Sequence, residues 1–165
     1  VRYPRGTKKE ETKTGLAFVI PPPVEQGKAE VLREGKDILI LALGSMVYTA
    51  YEAAALLEKE GIQATVVNAR FAKPLDEPLI LELAQKTNLV VTLEEGVLSG
   101  GFGSAVLELF AGHQELELPR VRPLGIPDRF IEHGRRDLLL DSLGLSAQKI
   151  KEEMVHLLGL VKNYA

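Results

Sequence analysis

A glycine-rich turn over residues 96–103 is the first feature that could do chemistry, because it follows an apolar run and precedes residues at helical spacing. Backbone N–H groups at a helix N-terminus bind phosphate in dinucleotide-binding folds. The fingerprint of those folds is incomplete here, since Val106 occupies the place of the third glycine in GxGxxG and no GxxxxGK[ST] loop occurs. We favour the alternative, in which the glycines allow a tight turn and close packing of the helix on a sheet.

Two adjacent acidic residues, Glu94 and Glu95, stand where a predicted central strand ends. Open α/β sheets bind ligands at the carboxyl ends of their strands, so a carboxylic acid with a raised pKa is conceivable here. Adjacent residues of a strand point to opposite faces, which disfavours one acid/base pair. We expect structural roles, with at least one carboxylate exposed to solvent or bonded to the N–H groups of the glycine-rich turn.

The histidines and serines offer little catalytic potential. His113 and His156 have no partner at a metal-ligand spacing, so we expect both at the surface. His133 lies in the charged segment PDRFIEHG, where a loop-stabilising or interface role is favoured over catalysis. Ser45 and Ser104 lack a plausible base and are predicted to cap helices.

Two arginines, Arg2 and Arg5, flank a segment that Pro4 keeps extended and that ends at Gly6. The guanidinium group suits bidentate binding of phosphate or carboxylate. Taken alone, the two residues are typical of a solvated or salt-bridged connector.

The elements that would position these residues alternate between strands and helices. The pattern predicts an α/β fold of three layers, with a mostly parallel sheet of about five strands between flanking helices. Predicted strands cover residues 38–43, 62–68, 89–93 and 120–124, with a possible antiparallel edge strand at 28–33, and predicted helices cover 45–60, 75–86, 104–110, 135–143 and 147–161.

The chain divides into a connector and a compact domain. Residues 1–36 contain a polar stretch and three consecutive prolines, and residues 37–165 carry the alternating apolar pattern. Because Val1 stands inside a dense motif rather than after a Met, we interpret the chain as a fragment.

Composition excludes several classes of function. The net charge of −3 and the lack of Trp disfavour nucleic-acid binding, and no run approaches the roughly 18 apolar residues of a membrane helix. The absence of Cys removes disulfides, thiolate nucleophiles and Cys-based metal sites. We expect a soluble protein of the cytoplasm.

Five ordered motifs, VRYPRG, GKAEVLREG, ARFAKPLDEPLI, VVTLEEGVLSGGFGSAVLE and LGIPDRFIEHG, carry a family resemblance. Over residues 1–145 the chain resembles 1-deoxy-D-xylulose-5-phosphate synthases, apart from the connector at 7–24. The resemblance implies a transketolase C-terminal-like domain at 37–165, preceded at 1–36 by a linker and the end of a pyrimidine-binding domain.

The family resemblance also implies an activity for the full-length protein. Such enzymes are homodimers that condense pyruvate with glyceraldehyde 3-phosphate and release carbon dioxide, using thiamine diphosphate and Mg²⁺. The reaction supplies isoprenoid, thiamine and pyridoxal biosynthesis in bacterial cytoplasm or plastid stroma. The residues that hold cofactor and metal have no counterpart in this chain, so the fragment is expected to be inactive and to support the dimer.

One functional residue follows from the resemblance: Arg5, in RYPRG, matches the arginine that binds the phosphate of the acceptor substrate. Three alternatives stay open. They are the equivalent domain of a transketolase or of a 2-oxo-acid dehydrogenase E1 β subunit, a non-enzymatic dimerisation or regulatory module, and a free anion- or nucleotide-binding domain.

Overall fold

The computed structural model describes the backbone of residues 23–163 and the side chains of residues 23–159. The strands are β1 (Glu30–Arg33), β2 (Ile38–Ala42), β3 (Ala64–Asn68), β4 (Leu89–Val97) and β5 (Arg120–Ile126). The helices are α1 (Met46–Glu58), α2 (Glu77–Ala84), α3 (Phe102–Ala111), α4 (Arg136–Ser142) and α5 (Ala147–Asn163). In these residues no helix has the length and apolar character needed to cross a membrane.

The five strands form one sheet in the order β1-β3-β2-β4-β5. Four strands are parallel, and β1 pairs antiparallel with β3, as the sequence suggested for this edge. All five residues of β2 are buried, which explains why this central strand is a continuous apolar run rather than an alternating one. The predicted α/β class and strand count are confirmed.

Two apolar cores lie on opposite faces of the sheet and make the predicted three layers. On one face, Ile38 and Ile40 of β2 pack in the core that includes buried residues of α1, α4 and α5. On the other face, Leu39 and Leu41 pack with α2 and α3. The side-chain alternation of each strand therefore decides which helices it contacts.

The principal difference from the sequence prediction concerns the end of β4. Glu94 and Glu95 were predicted to end the strand, but β4 continues to Val97, which pairs with Ile126 after an irregularity in register. The extension is possible because both carboxylates have hydrogen-bonding partners beyond the apolar part of the sheet.

The connector reaches the sheet at the carboxyl ends of the parallel strands. Because β1 is antiparallel, its first residue, Glu30, pairs with Asn68 at the carboxyl end of β3. Just before it, the Ala29 N–H donates to the buried carboxylate of Asp76 at 3.1 Å. The division of the chain at residues 36 and 37 stays a prediction, and most of the segment before it lies outside the described residues.

Candidate functional site

The candidate site lies at the carboxyl edge, which we define as the ends of β2 to β5 and the loops that leave them. The strand order changes direction between β2 and β4, and such a switch point is where open α/β sheets form ligand crevices. Glu94 and Glu95 lie at this point on β4. Alternation turns Glu94 toward α3, while Glu95 contacts the beginnings of α1 and α4.

Glu94 caps helix α3 with its buried carboxylate. Oε2 accepts the N–H of Phe102 at 2.9 Å and Oε1 accepts that of Gly103 at 2.8 Å. These N–H groups have no partner inside the helix and carry the positive end of its dipole, so a carboxylate stabilises them. The carboxylate of Glu94 therefore occupies the helix N-terminus at which a phosphate was considered from the sequence alone. This agrees with the expectation that at least one of the two glutamates is exposed or bonded to the N–H groups of the glycine-rich turn.

The glycines around Glu94 permit this close approach. A Cβ at Gly101 would lie 2.4 Å from Glu94 Oε2, and one at Gly103 would lie 2.7 Å from Thr92 Oγ1 and 2.8 Å from Pro123 Cβ. Any side chain at these positions would push α3 away from the sheet. The contacts favour the packing interpretation of the glycine-rich turn over the phosphate-binding one.

Glu95 joins two elements that follow different strands. Its carboxylate accepts a hydrogen bond from Ser45 Oγ at 2.5 Å and two from the guanidinium of Arg136, one of them from Nε at 2.8 Å. The Arg136 hydrogen bonds hold the pKa of Glu95 below its ordinary value, although partial burial opposes the shift. The hydrogen bond to Glu95 in turn raises the pKa of Arg136. We call Ser45, Glu95 and Arg136 the Glu95 cluster.

The Glu95 cluster is arranged to hold structure rather than to catalyse. Ser45 donates its proton to a carboxylate whose lowered pKa makes it a poor proton acceptor near neutral pH. The charge of Arg136 is already paired with that carboxylate. Neither an activated hydroxyl nor an available cation remains within the cluster.

Both serines were predicted to cap helices, and neither does so, although Ser45 occupies the cap position of α1. Ser45 precedes α1, but its side chain makes no capping hydrogen bond and donates to Glu95 instead. Ser104 lies inside α3, where its hydroxyl donates to the Leu98 carbonyl at 2.7 Å and accepts the Gly100 N–H at 3.1 Å. It therefore closes the glycine-rich turn instead of capping the helix.

The structure separates the three histidines. His113 Nδ1 lies 3.0 Å from the carbonyl oxygen of Leu109, and His133 and His156 are exposed on a loop and on α5. Within residues 23–159, no group of three or more potential ligands is arranged to hold a metal ion. Arg2 and Arg5 lie outside the described residues.

Sequence reasoning missed the role of Arg136. Arg135 and Arg136 precede and begin α4, where the helix dipole disfavours positive charge. Cations at that place indicate an acidic partner, a signal that the sequence carries without identifying Glu95 as that partner.

Asp76 was also missed. It is 6% exposed and holds the connector through the Ala29 N–H, with Lys28 Nζ 3.6 Å from its other oxygen. Its place before a helix beginning Glu-Pro is typical of a helix cap. The sequence therefore suggests a local capping role and does not indicate the distant contact with Ala29.

The fold and the site define a class of protein, a three-layer α/β domain. At its switch point, an internal ion pair and the capped N-terminus of α3 occupy the place where related sheets bind ligands. The family described as "Transketolase, C-terminal domain" matches residues 27–150. The chain belongs to this transketolase C-terminal domain family.

Several curated relatives are 1-deoxy-D-xylulose-5-phosphate synthases. The one from Cyanothece sp. is 52% identical over 157 residues, which are 94% of this chain and 24% of that protein. The one from Acaryochloris marina is 49% identical over 98% of this chain and 24% of its own length. The chain thus spans about a quarter of the length of these relatives.

Two solved structures support the fold. A split-gene transketolase, described as an inactive β4 tetramer, has a TM-score of 0.75 and 42% identity, over 83% of this chain and 44% of that one. A transketolase variant from Pichia stipitis has a TM-score of 0.59 and 20% identity, over 81% of this chain and 18% of that one, which supports the fold alone.

Proposed function

We propose that this chain is the C-terminal part of a 1-deoxy-D-xylulose-5-phosphate synthase, a thiamine-diphosphate-dependent transferase. The observation that carries the proposal is the identity of about half over nearly the whole chain to proteins of that name. The longer protein would condense pyruvate with glyceraldehyde 3-phosphate, release carbon dioxide and act as a homodimer in isoprenoid precursor synthesis. We expect it in the cytoplasm, since the first relatives are cyanobacterial.

Within that protein, this domain would be structural. The described residues do not fit thiamine diphosphate, because the helix N-terminus that could accept a diphosphate already holds the carboxylate of Glu94. They do not fit Mg²⁺ either, because no set of three potential ligands is assembled in the part that the structure describes. Cofactor and metal would be bound by the rest of the longer protein.

The inactivity of the separated chain can be tested by calorimetric titration with thiamine diphosphate and Mg²⁺. We expect no binding heat beyond dilution and no carbon dioxide from pyruvate. The longer polypeptide, purified in parallel, is the positive control. Micromolar binding by the 165-residue chain alone would contradict the assignment of cofactor binding to other domains.

Transketolase is the second candidate, because the split-gene transketolase structure is 42% identical to this chain. The inactive assembly named for that structure also accords with a C-terminal piece that cannot catalyse alone. The two candidates differ in one product. Carbon dioxide from pyruvate and glyceraldehyde 3-phosphate supports the synthase, and transfer of a two-carbon unit between sugar phosphates without carbon dioxide supports transketolase.

Arg5 is proposed to bind the phosphate of the acceptor substrate in the longer protein. The proposal comes from the RYPRG motif, which lies outside the described residues. Its chemistry is that of a charge-assisted, bidentate contact.

A further inference from the structure

The segment over residues 27–35 is fastened to the domain by hydrogen bonds at both of its ends. At the entry, the Ala29 N–H donates to Asp76 Oδ2 at 3.1 Å. At the exit, the Gly35 N–H donates to Thr65 Oγ1 at 2.9 Å, and the Gly35 carbonyl accepts the same hydroxyl at 2.7 Å. We call this segment, which includes β1, the strap.

Asp76 is used differently from an ordinary helix cap. It occupies the N-cap position of α2, but its side chain makes no capping hydrogen bond. One carboxylate oxygen accepts the Ala29 N–H, and the other lies 3.6 Å from Lys28 Nζ. The carboxylate of Asp76 therefore serves the strap and not the helix that it precedes.

The strap contributes little to the two apolar cores. None of its residues is buried, and the first buried residue that follows it is Ile38. Val31 and Leu32, which point to opposite faces of β1, are each 37% exposed. Ala29 is partly buried against the core that contains α2 and α3. Polar contacts, rather than apolar burial, therefore hold the strap in place.

The remaining contacts of the strap are weak ones. Two ion pairs join it to the domain, and both are partly exposed, so each stabilises little: Glu30 with Arg70, and Arg33 with Glu58. The ladder between β1 and β3 is short, and its register shifts between Val31 and Arg33. Segments with few buried apolar contacts open locally at a lower free energy than the cores do.

We propose that the strap releases from the domain as one unit while both cores stay folded, and that Asp76 is the residue that holds it closed. Release adds the length of the strap to the connector, about 30 Å when extended, and makes β3 the edge of the sheet. An unpaired edge is a template for pairing with another strand, so the closed strap also protects β3. Neither consequence depends on the proposed function.

Native-state hydrogen exchange of the 165-residue chain, followed by NMR, tests the proposal. The N–H groups of Ala29 and Gly35 report on the two ends of the strap. That of Leu43, which donates to the Leu93 carbonyl at 2.9 Å, reports on the contact between β2 and β4. We expect the two strap amides to be equally protected within about threefold, and at least about 100-fold less than Leu43. The proposal is overturned if either strap amide is as protected as Leu43, or if only one of them is less protected.

A conservative core substitution separates release of the strap from unfolding of the whole domain. Ile150 is fully buried in α5, in the core on the other face of the sheet from Ala29. A released strap leaves this core assembled, so Ile150→Val should affect global unfolding alone. Exchange at Leu43 should become about 2- to 10-fold faster, while exchange at Ala29 and Gly35 stays unchanged. Acceleration of all three amides by the same factor overturns the proposal.

A second pair of variants tests the role of Asp76. The contacts of Asp76 with the strap are absent once the strap is released, so Asp76→Ala should speed exchange at Ala29 and Gly35 by about tenfold or more. Glu77→Ala is the matched control, because Glu77 is the next residue and is exposed in the first turn of α2. It should leave both strap amides unchanged. An effect of Asp76→Ala below about twofold, or an equal effect of Glu77→Ala, would show that Asp76 does not hold the strap.

Discussion

The position of helix α3 depends on one residue, Glu94, whose carboxylate accepts hydrogen bonds from the beginning of that helix. Replacing it by Ala would leave the N–H groups of Phe102 and Gly103 buried without acceptors. Hydrogen bonds to charged groups contribute about 1.5 to 3 kcal/mol each. We expect Glu94→Ala to lower the free energy of unfolding by about 3 kcal/mol in urea denaturation.

Glu108→Ala is the matched control for Glu94→Ala, since Glu108 lies on the same helix and is exposed. It should change stability by less than about 0.5 kcal/mol. The loss of stability for Glu94→Gln should fall between those of the two Ala variants. The amide keeps one acceptor oxygen, but its NH₂ group would face a backbone N–H, so that two donors oppose each other. A loss below about 1 kcal/mol for Glu94→Ala would refute the capping role.

Two buried threonines have opposite hydrogen-bonding states. Thr92 Oγ1 is buried and has no hydrogen-bonding partner among the described residues, whereas Thr65 Oγ1 accepts the Gly35 N–H at 2.9 Å and donates to the Gly35 carbonyl at 2.7 Å. Removing an unsatisfied hydroxyl removes a desolvation penalty, while removing a bonded one leaves its partners unsatisfied. Thr92→Val should raise the free energy of unfolding by about 1 kcal/mol and Thr65→Val should lower it by about 2 kcal/mol. The same sign for both would contradict this account.

The sequence shows which residues could form hydrogen bonds, but it does not show which groups they bond to. The expectation that Glu94 and Glu95 face opposite ways follows from strand geometry and was confirmed. The partner of Glu95 could not be predicted, because Arg136 is 41 residues away and reaches it only through the crossover of α3 and β5. Distant pairs of this kind depend on how elements pack, which periodicity does not encode.

At the scale of elements, periodicity predicted the strands and helices of residues 23–163 within a few residues, except at the carboxyl end of β4. Buried runs such as β2 are identified by composition alone, because both faces of a central parallel strand are covered. The end of β4 was misplaced because charged residues usually leave the sheet. Here the beginnings of helices supply hydrogen-bonding partners, so the two glutamates remain within the strand.

The Glu95 cluster ties α4 to the sheet in a way that depends on pH. Since the pKa of Glu95 is lowered in the folded protein, the pairing is fully present above the ordinary value of 4.5 and is lost as pH falls through the folded value. Arg136→Ala should cost about 1 kcal/mol at pH 7, a modest value because Arg136 is about half exposed. The difference from the wild type should shrink by pH 3, as measured by urea unfolding at both pH values.

A control arginine from the same surface separates this effect from a general change in charge. Arg129→Ala removes an exposed arginine of the loop between β5 and α4 and should show little difference from the wild type at either pH. If the cost of Arg136→Ala were the same at pH 3 as at pH 7, the contribution of Arg136 would come from packing and not from its pairing with Glu95.

At the scale of the whole molecule, the connector determines what the domain can reach. Arg5 precedes Pro23 by 18 residues, and a chain of that length spans at most about 60 Å. The connector enters at the carboxyl edge, so Arg5 can lie well beyond this domain, in a substrate channel formed by others. This geometry permits the phosphate-binding role that the RYPRG motif suggests.

In the longer protein, Arg5→Ala should therefore weaken use of glyceraldehyde 3-phosphate while leaving pyruvate binding nearly unchanged. Loss of a charge-assisted hydrogen bond of about 1.5 to 3 kcal/mol corresponds to a fall of about 10- to 150-fold in kcat/KM. Arg5→Lys should recover part of this loss, because it keeps the charge without the bidentate geometry. Steady-state kinetics with each substrate varied, together with the thermal midpoint, measures the effect. If both substrates lose affinity together and the midpoint falls, Arg5 is a structural strut of the connector and does not bind the phosphate.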